Sequence, residues 1–186
     1  TVDGVINEQM DIVAKGIDYV YSRWEEDYIP YNDILNNIMW QEKSINNVFN
    51  QNSSRAAAAG VLNLVKFTGG IDSLTSTLND VQKMKILAEC EHLRWNAFHF
   101  TKGIRVWNIN DIPNDRTENV KMTTNGLLVK HGCLVSFQEL KNVSDYSNDN
   151  SERSGGNRNV DFQKVDHRII RHFGLFYQIL KSNENK

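Results

Sequence analysis

Apolar residues at Val5, Ile6, Met10, Val13, Ile17, Val20, Tyr21 and Trp24 recur at intervals of three and four. That period predicts an amphipathic helix ending near Asp27. Pro30 interrupts the pattern, because the residue before a proline is pushed out of the helical region. A second helical run follows through Ile34, Leu35, Ile38, Met39, Ile45, Val48 and Phe49. The polar string Asn50 to Ser54 then predicts a helix opening at Arg55, with Ser53 or Ser54 accepting its free backbone N–H groups. This helix begins with Ala56 to Ala59, strong helix formers that allow close packing, and stops at Gly69-Gly70.

Asp72, Ser73 and the Ser/Thr cluster after them read as a connector. The longest predicted helix runs from about Leu78 to Thr101, ended by Gly103, and is apolar on most faces, as a central buried helix would be. Beyond Ile104 the period fails. Leu127 to Val129 and Cys133 to Val135, with Asn125-Gly126 between polar flanks, predict one or two short strands or extended loops. Phe137 to Val143 fits one or two helical turns. The Ser/Asn/Gly-rich stretch 144–159 has little to bury and reads as a mobile insert. A last helix is expected from about Phe162 to Lys181, weakened at Gly174. The fold class expected is mainly α, a compact helical module with one or two short β-strands.

With 186 residues the chain suits one domain or two small ones sharing a core. No apolar run approaches the roughly 18 residues of a membrane span. Twenty-one Lys and Arg against 23 Asp and Glu give a net charge of −2, which disfavours nonspecific nucleic-acid binding. Cys90 and Cys133 read as reduced thiols of a reducing, cytoplasmic compartment. The start at Thr1, without a cationic stretch leading into an apolar one, reads as a piece of a longer protein.

The segment Leu87 to Ala97 is the richest in chemistry. On a helix, Glu91, Arg94, Trp95 and Phe98 share one side, and Ala88, His92, Trp95 and His99 form an adjoining stripe. Two readings stand side by side: a structural Glu91–Arg94 ion pair with Trp95 in the core, or a pocket wall whose indole stacks on a planar ligand. The spacings of His92 and His99, and of His167 and His172, match no zinc pattern, and Gly69-Gly70 lacks a phosphate-loop lysine, so no metal and no cofactor is expected. Cys133 near His131, and Trp24 and Trp40, read as structural.

The residues Leu87, Ala88, Glu89, His92 and Trp95 resemble the L-A-E-x-x-H-x-x-W motif of the ryanodine-receptor (RyR) repeat domain, with Glu91 and Arg94 matching the E-H-x-R-W form of bacterial members. His131-Gly132-Cys133-Leu134-Val135-Ser136-Phe137 is similar to the family's H-P-x-L-V-x-F segment, and Lys164 to Ile170 to its closing helix. Asn52 to Ala57 and Ala14 to Ile17 with Tyr21 resemble the helices preceding the repeat in bacterial proteins. Ile104 stands where the family has a tryptophan, Trp107 follows three residues later, and Gly132 replaces a proline.

The resemblance implies an N-terminal helical extension over 1–70 and a RyR-like repeat over 71–186. It implies a non-catalytic regulatory domain of a larger protein that senses a ligand of the adenine-nucleotide type, with other domains of the parent protein as partners. Trp95 would stack on the base. Glu91, His92, Arg94, Trp107 and His131 would line the site, and Arg55, Arg94 or Arg105 would meet phosphate, aided by Ser54 at a helix start. The alternative is a protein–protein interaction module without a small-molecule ligand. An enzyme with Glu91 or His92 as general base is the third reading.

Overall fold

In a computed structural model the described residues are 2–23, 26, 28–45, 47–111, 120–143 and 161–184. The chain is mainly α with a small sheet. Its elements are α1 (Val2–Ser22), α2 (Tyr31–Asn36), α3 (Val48–Phe67), α4 (Ile71–Leu78), α5 (Val81–Thr101), β1 (Arg105–Val106), β2 (Lys121–Thr124), β3 (Leu127–His131), α6 (Phe162–Arg171) and α7 (Phe173–Glu184). Trp24, Asp27 and the insert 144–159 lie outside the described residues.

Two compact units divide the chain: Thr1–Glu91 with His167–Lys186, and His92–Asp166. The first unit is a helical core. Val13, Ala14, Ile17 and Val20 of α1 are buried together with Ala57, Ala58, Val61 and Val65 of α3, Leu74, Met84, Leu87 and the α7 phenylalanines Phe173 and Phe176. Residues of 71–91 and 167–186 therefore share one core with those before residue 70. Gly16 marks the tightest approach, since a Cβ there would meet the Phe176 ring at 3.0 Å.

Three local expectations are corrected in this unit. The run from Ile34 to Phe49 is not one helix: α2 ends at Asn36, and the buried Asp18 carboxylate holds the following segment as turns. It accepts from the Gln41 backbone N–H at 2.9 Å and the Ser44 hydroxyl at 2.7 Å. Next, α3 begins at Val48, capped by the Asn47 side chain, which accepts from the Asn50 N–H at 3.1 Å. Ser53 and Ser54 are thus buried inside the helix and cap nothing. Finally, the stretch after Gly70 is the short helix α4 instead of a connector.

The last helix is also divided, at His172 and not at Gly174. The His172 N–H reaches back to the Ile169 carbonyl, three residues away, while its ring contacts the carbonyls of Arg168 (2.8 Å) and Ile29 (3.1 Å).

The second unit carries the sheet, in the order β1-β3-β2. β1 runs parallel to β3, pairing Arg105 with Lys130 and Val106 with His131; β2 is antiparallel, pairing Lys121 with His131. Asn125 and Gly126 join β2 to β3 with φ values of 52° and 76°, the tight hairpin turn that an Asn-Gly pair favours. Cys133 to Val135, expected as extended, follows β3 as turns, and a helical turn occupies 140–143. Ile104, Trp107, Val120, Cys133, Leu134, Phe137 and Leu140 are buried.

Candidate functional site

Helix α5 reverses the usual distribution of polarity. Its buried residues include Glu91, His92, Asn96 and His99, whereas Ile86, Leu93 and Phe100 are exposed. Burying polar groups is costly without partners, and within the second unit His92 and the Asn96 amide nitrogen have them, whereas the buried Asn96 Oδ1 accepts no hydrogen bond. His92 Nδ1 meets the Asp166 carboxylate at 3.1 Å, and its Nε2 meets the Val135 carbonyl at 2.9 Å. Asn96 donates to that same carbonyl at 2.8 Å.

Both ring nitrogens of His92 are engaged, one by the Asp166 carboxylate and the other by the Val135 carbonyl, and the ring is only 2% exposed, so His92 is held within the packing of the unit.

Trp95 sits half-buried at the centre of an imidazole cluster. His99 lies 3.8 Å from it between ring centroids, His131 stands edge-on at 5.0 Å, and His92 stacks at 5.9 Å with the planes 20° apart. Hydrogen bonding fixes two of the tautomers. His99 Nδ1 donates to the Trp95 carbonyl at 2.9 Å, leaving Nε2 as an acceptor. His131 Nδ1 accepts from the Cys133 N–H at 3.1 Å, leaving its proton on Nε2.

Burial lowers the His99 pKa to about 4, with Lys121 and Arg94 adding to the effect against the Trp95 hydrogen bond. Burial likewise holds His131 well below the ordinary histidine range, assisted by Lys121 and the neighbouring imidazoles. Near neutral pH the indole therefore adjoins two neutral rings, with two fixed cations, Lys121 and Arg94, in electrostatic reach. Lys121 is exposed on β2 and shares a cross-strand row with His131.

Of the residues the sequence singled out, His92, Trp95 and His131 come together in this cluster, and Arg94 acts on it through its charge. Glu91 is buried and closes the first unit at its border. The others do not join it. Ser54 and Arg55 belong to the first unit. Arg55 makes a two-pronged contact with Asp11 at 2.6 and 2.8 Å, reaches Asn52 at 3.2 Å and lies over the Trp40 ring. Arg105 falls in the Lys130 row, and successive residues alternate faces, so it lies on the opposite side of the sheet from His131. Trp107 is 4% exposed and is a core residue, as is Ile104. Burial pushes the Cys133 thiol pKa up, and the thiol is no nucleophile beside His131.

Lys121 and His99 were missed as site residues. His99 had a signal, its position four residues after Trp95 on one helical stripe. Lys121 had none, because strand register alone brings it to His131. Among the described residues no group of three or more His, Cys, Asp or Glu side chains is arranged to hold a metal ion, and no helix is long and apolar enough to cross a membrane. No family model, curated protein or solved structure matches the chain.

Proposed function

We propose that the chain is a non-catalytic sensor domain of a larger protein, and that Trp95 receives a planar, anionic ligand of the adenine-nucleotide type. The observation that carries this reading is the half-buried Trp95 indole among neutral imidazoles, with Lys121 and Arg94 supplying positive charge. A base packs on the part of the indole that the imidazoles leave open. The two cations meet the phosphate groups. The RyR-repeat resemblance of Leu87 to Trp95 gives the same ligand class. The occupied nitrogens of His92 favour binding over proton abstraction at that residue.

Stacking of a base on an aromatic side chain contributes about 1–3 kcal/mol, so Trp95→Ala weakens binding roughly 5- to 140-fold at 1.4 kcal/mol per tenfold. Calorimetric titration with ATP, ADP-ribose and a cyclic nucleotide tests the reading. Saturable heat is expected with at least one of them, and no heat at millimolar concentrations contradicts it.

A further inference from the structure

In the second unit the peptide group between Val135 and Ser136 is held from both ends. Its carbonyl meets His92 Nε2 at 2.9 Å and accepts from the Asn96 amide nitrogen at 2.8 Å. Its N–H, that of Ser136, donates to the Glu139 carboxylate at 3.0 Å. The same carboxylate oxygen accepts from the Ser136 hydroxyl at 2.6 Å, and that hydroxyl accepts from the Glu139 N–H at 3.3 Å. Ser136 and Glu139, three residues apart, thus close a reciprocal cap ahead of the helical turn at 140–143.

Both capping residues are exposed, whereas what they hold is buried. Phe137, between them, is buried with its ring edge-on to His92 at 6.0 Å, and its carbonyl accepts from the Gln163 side chain at 2.7 Å. Residues 135–137 therefore back the His92 ring, which stacks beside Trp95.

From this arrangement we infer that Glu139 is a positioning residue for the Trp95 site, fixing through the Val135–Ser136 peptide the carbonyl on which His92 and Asn96 rest. A hydrogen bond from an amide N–H to a charged acceptor polarises the whole peptide group, so its carbonyl becomes the stronger acceptor. A carbonyl shared by two side chains gains most from that. The Ser136 hydroxyl and N–H hold the Glu139 carboxyl below the usual carboxylate range, so the acceptor is ionised near neutral pH. The bearing on ligand binding rests on the reading of Trp95 above, while the hold on His92 is a property of the free chain.

Three variants separate this role from simple capping. Glu139→Ala removes the acceptor of the Ser136 N–H. Ser136→Ala removes the hydroxyl from the cap and keeps that N–H on Glu139. Glu139→Gln retains an acceptor oxygen. The full chain, labelled with nitrogen-15, is examined without ligand by nitrogen–proton correlation spectra of its imidazole and indole groups. The expected result is a shift of the His92 imidazole and Trp95 indole signals in Glu139→Ala, with the helical circular dichroism retained. Both signals stay near their parent positions in Ser136→Ala and Glu139→Gln. Unmoved signals in Glu139→Ala overturn the proposal, and so do equal shifts in Glu139→Ala and Ser136→Ala, which would assign the effect to the cap as a whole. Should Glu139→Ala lose its helical signal, Glu139→Asp decides: one methylene shorter, it is expected to shift both signals, and unmoved signals there overturn the proposal.

Titration of the same variants with ATP reads the consequence for binding. Where the parent chain binds, Glu139→Ala is expected to saturate at higher ATP and Ser136→Ala at the parent concentration; an unchanged Glu139→Ala overturns the positioning role. A parent chain that binds no nucleotide contradicts the Trp95 reading instead, and the spectra of the free chain still decide whether Glu139 holds His92.

Discussion

His99 lies one helical turn beyond Trp95, with ring centroids 3.8 Å apart and its Nδ1–H bonded to the Trp95 carbonyl at 2.9 Å. The helix backbone thereby fixes the imidazole tautomer and sets that ring against the indole. A single turn of α5 holds the aromatic surface, an acceptor nitrogen and the carbonyl that orients it.

The two tryptophans of the second unit differ in burial, and their truncations separate packing from binding. Trp107, at 4% exposure, is a core side chain, and Trp107→Ala is expected to cost about 3–5 kcal/mol. Trp95 is half-buried already, and Trp95→Ala is expected to cost about 1–2 kcal/mol. Urea denaturation of the two variants checks the order; equal losses would mark Trp95 as a core residue.

Stability is expected to fall below pH 6.5. The unfolded chain binds the His99 proton near 6.5, whereas the folded chain binds it near 4. Between these values the unfolded state holds more protons, so the stability present above about pH 6.5 is lost as pH falls toward 4. At pH 5 the loss from His99 is about 2 kcal/mol, and the buried His131 acts in the same direction. Asp18, whose carboxyl pKa burial raises, acts in the opposite direction. His99→Asn isolates the histidine contribution, because its amide still donates to a carbonyl. Denaturation at pH 7 and pH 5 is expected to differ less in this variant than in the parent chain. An unchanged difference would assign the pH dependence to other groups.

Much of the fold is legible in the sequence because it follows from local periodicity. The three- and four-residue spacing of α1, the Gly69-Gly70 stop and the Asn125-Gly126 turn all hold. What was not legible depends on distant partners. Asp18 holds residues 41 and 44 as turns across more than twenty positions, so apolar residues at helical spacing there form no helix. Asn47 takes the capping role that Ser53 and Ser54 would have filled. The buried His92 and Asn96 of α5 rest on the Val135 carbonyl and Asp166, and Lys121 reaches the cluster through strand register. Helical spacing put Trp95 beside His92 and His99, but it carried no information on Lys121 or on the removal of Arg55 to Asp11.

Asp18 gives a direct check on that distant control. Asp18→Ala leaves the Gln41 N–H and the Ser44 hydroxyl without their acceptor, and is expected to cost about 2–3 kcal/mol. Asp18→Asn retains one acceptor oxygen and is expected to cost less. Urea denaturation of both variants decides the matter. Equal, small losses would show that residues 37–45 hold their conformation without the carboxylate.

The chain has four tryptophans, and each gives one indole N–H signal in a nitrogen–proton correlation spectrum. Assignment by single Trp→Phe variants, followed by titration with an adenine nucleotide, observes the ring in question itself. A saturable shift of the Trp95 signal, with the buried Trp107 signal moving far less, is the predicted result. A Trp95 signal that stays still while the nucleotide is bound elsewhere, or while none is bound, would contradict the account.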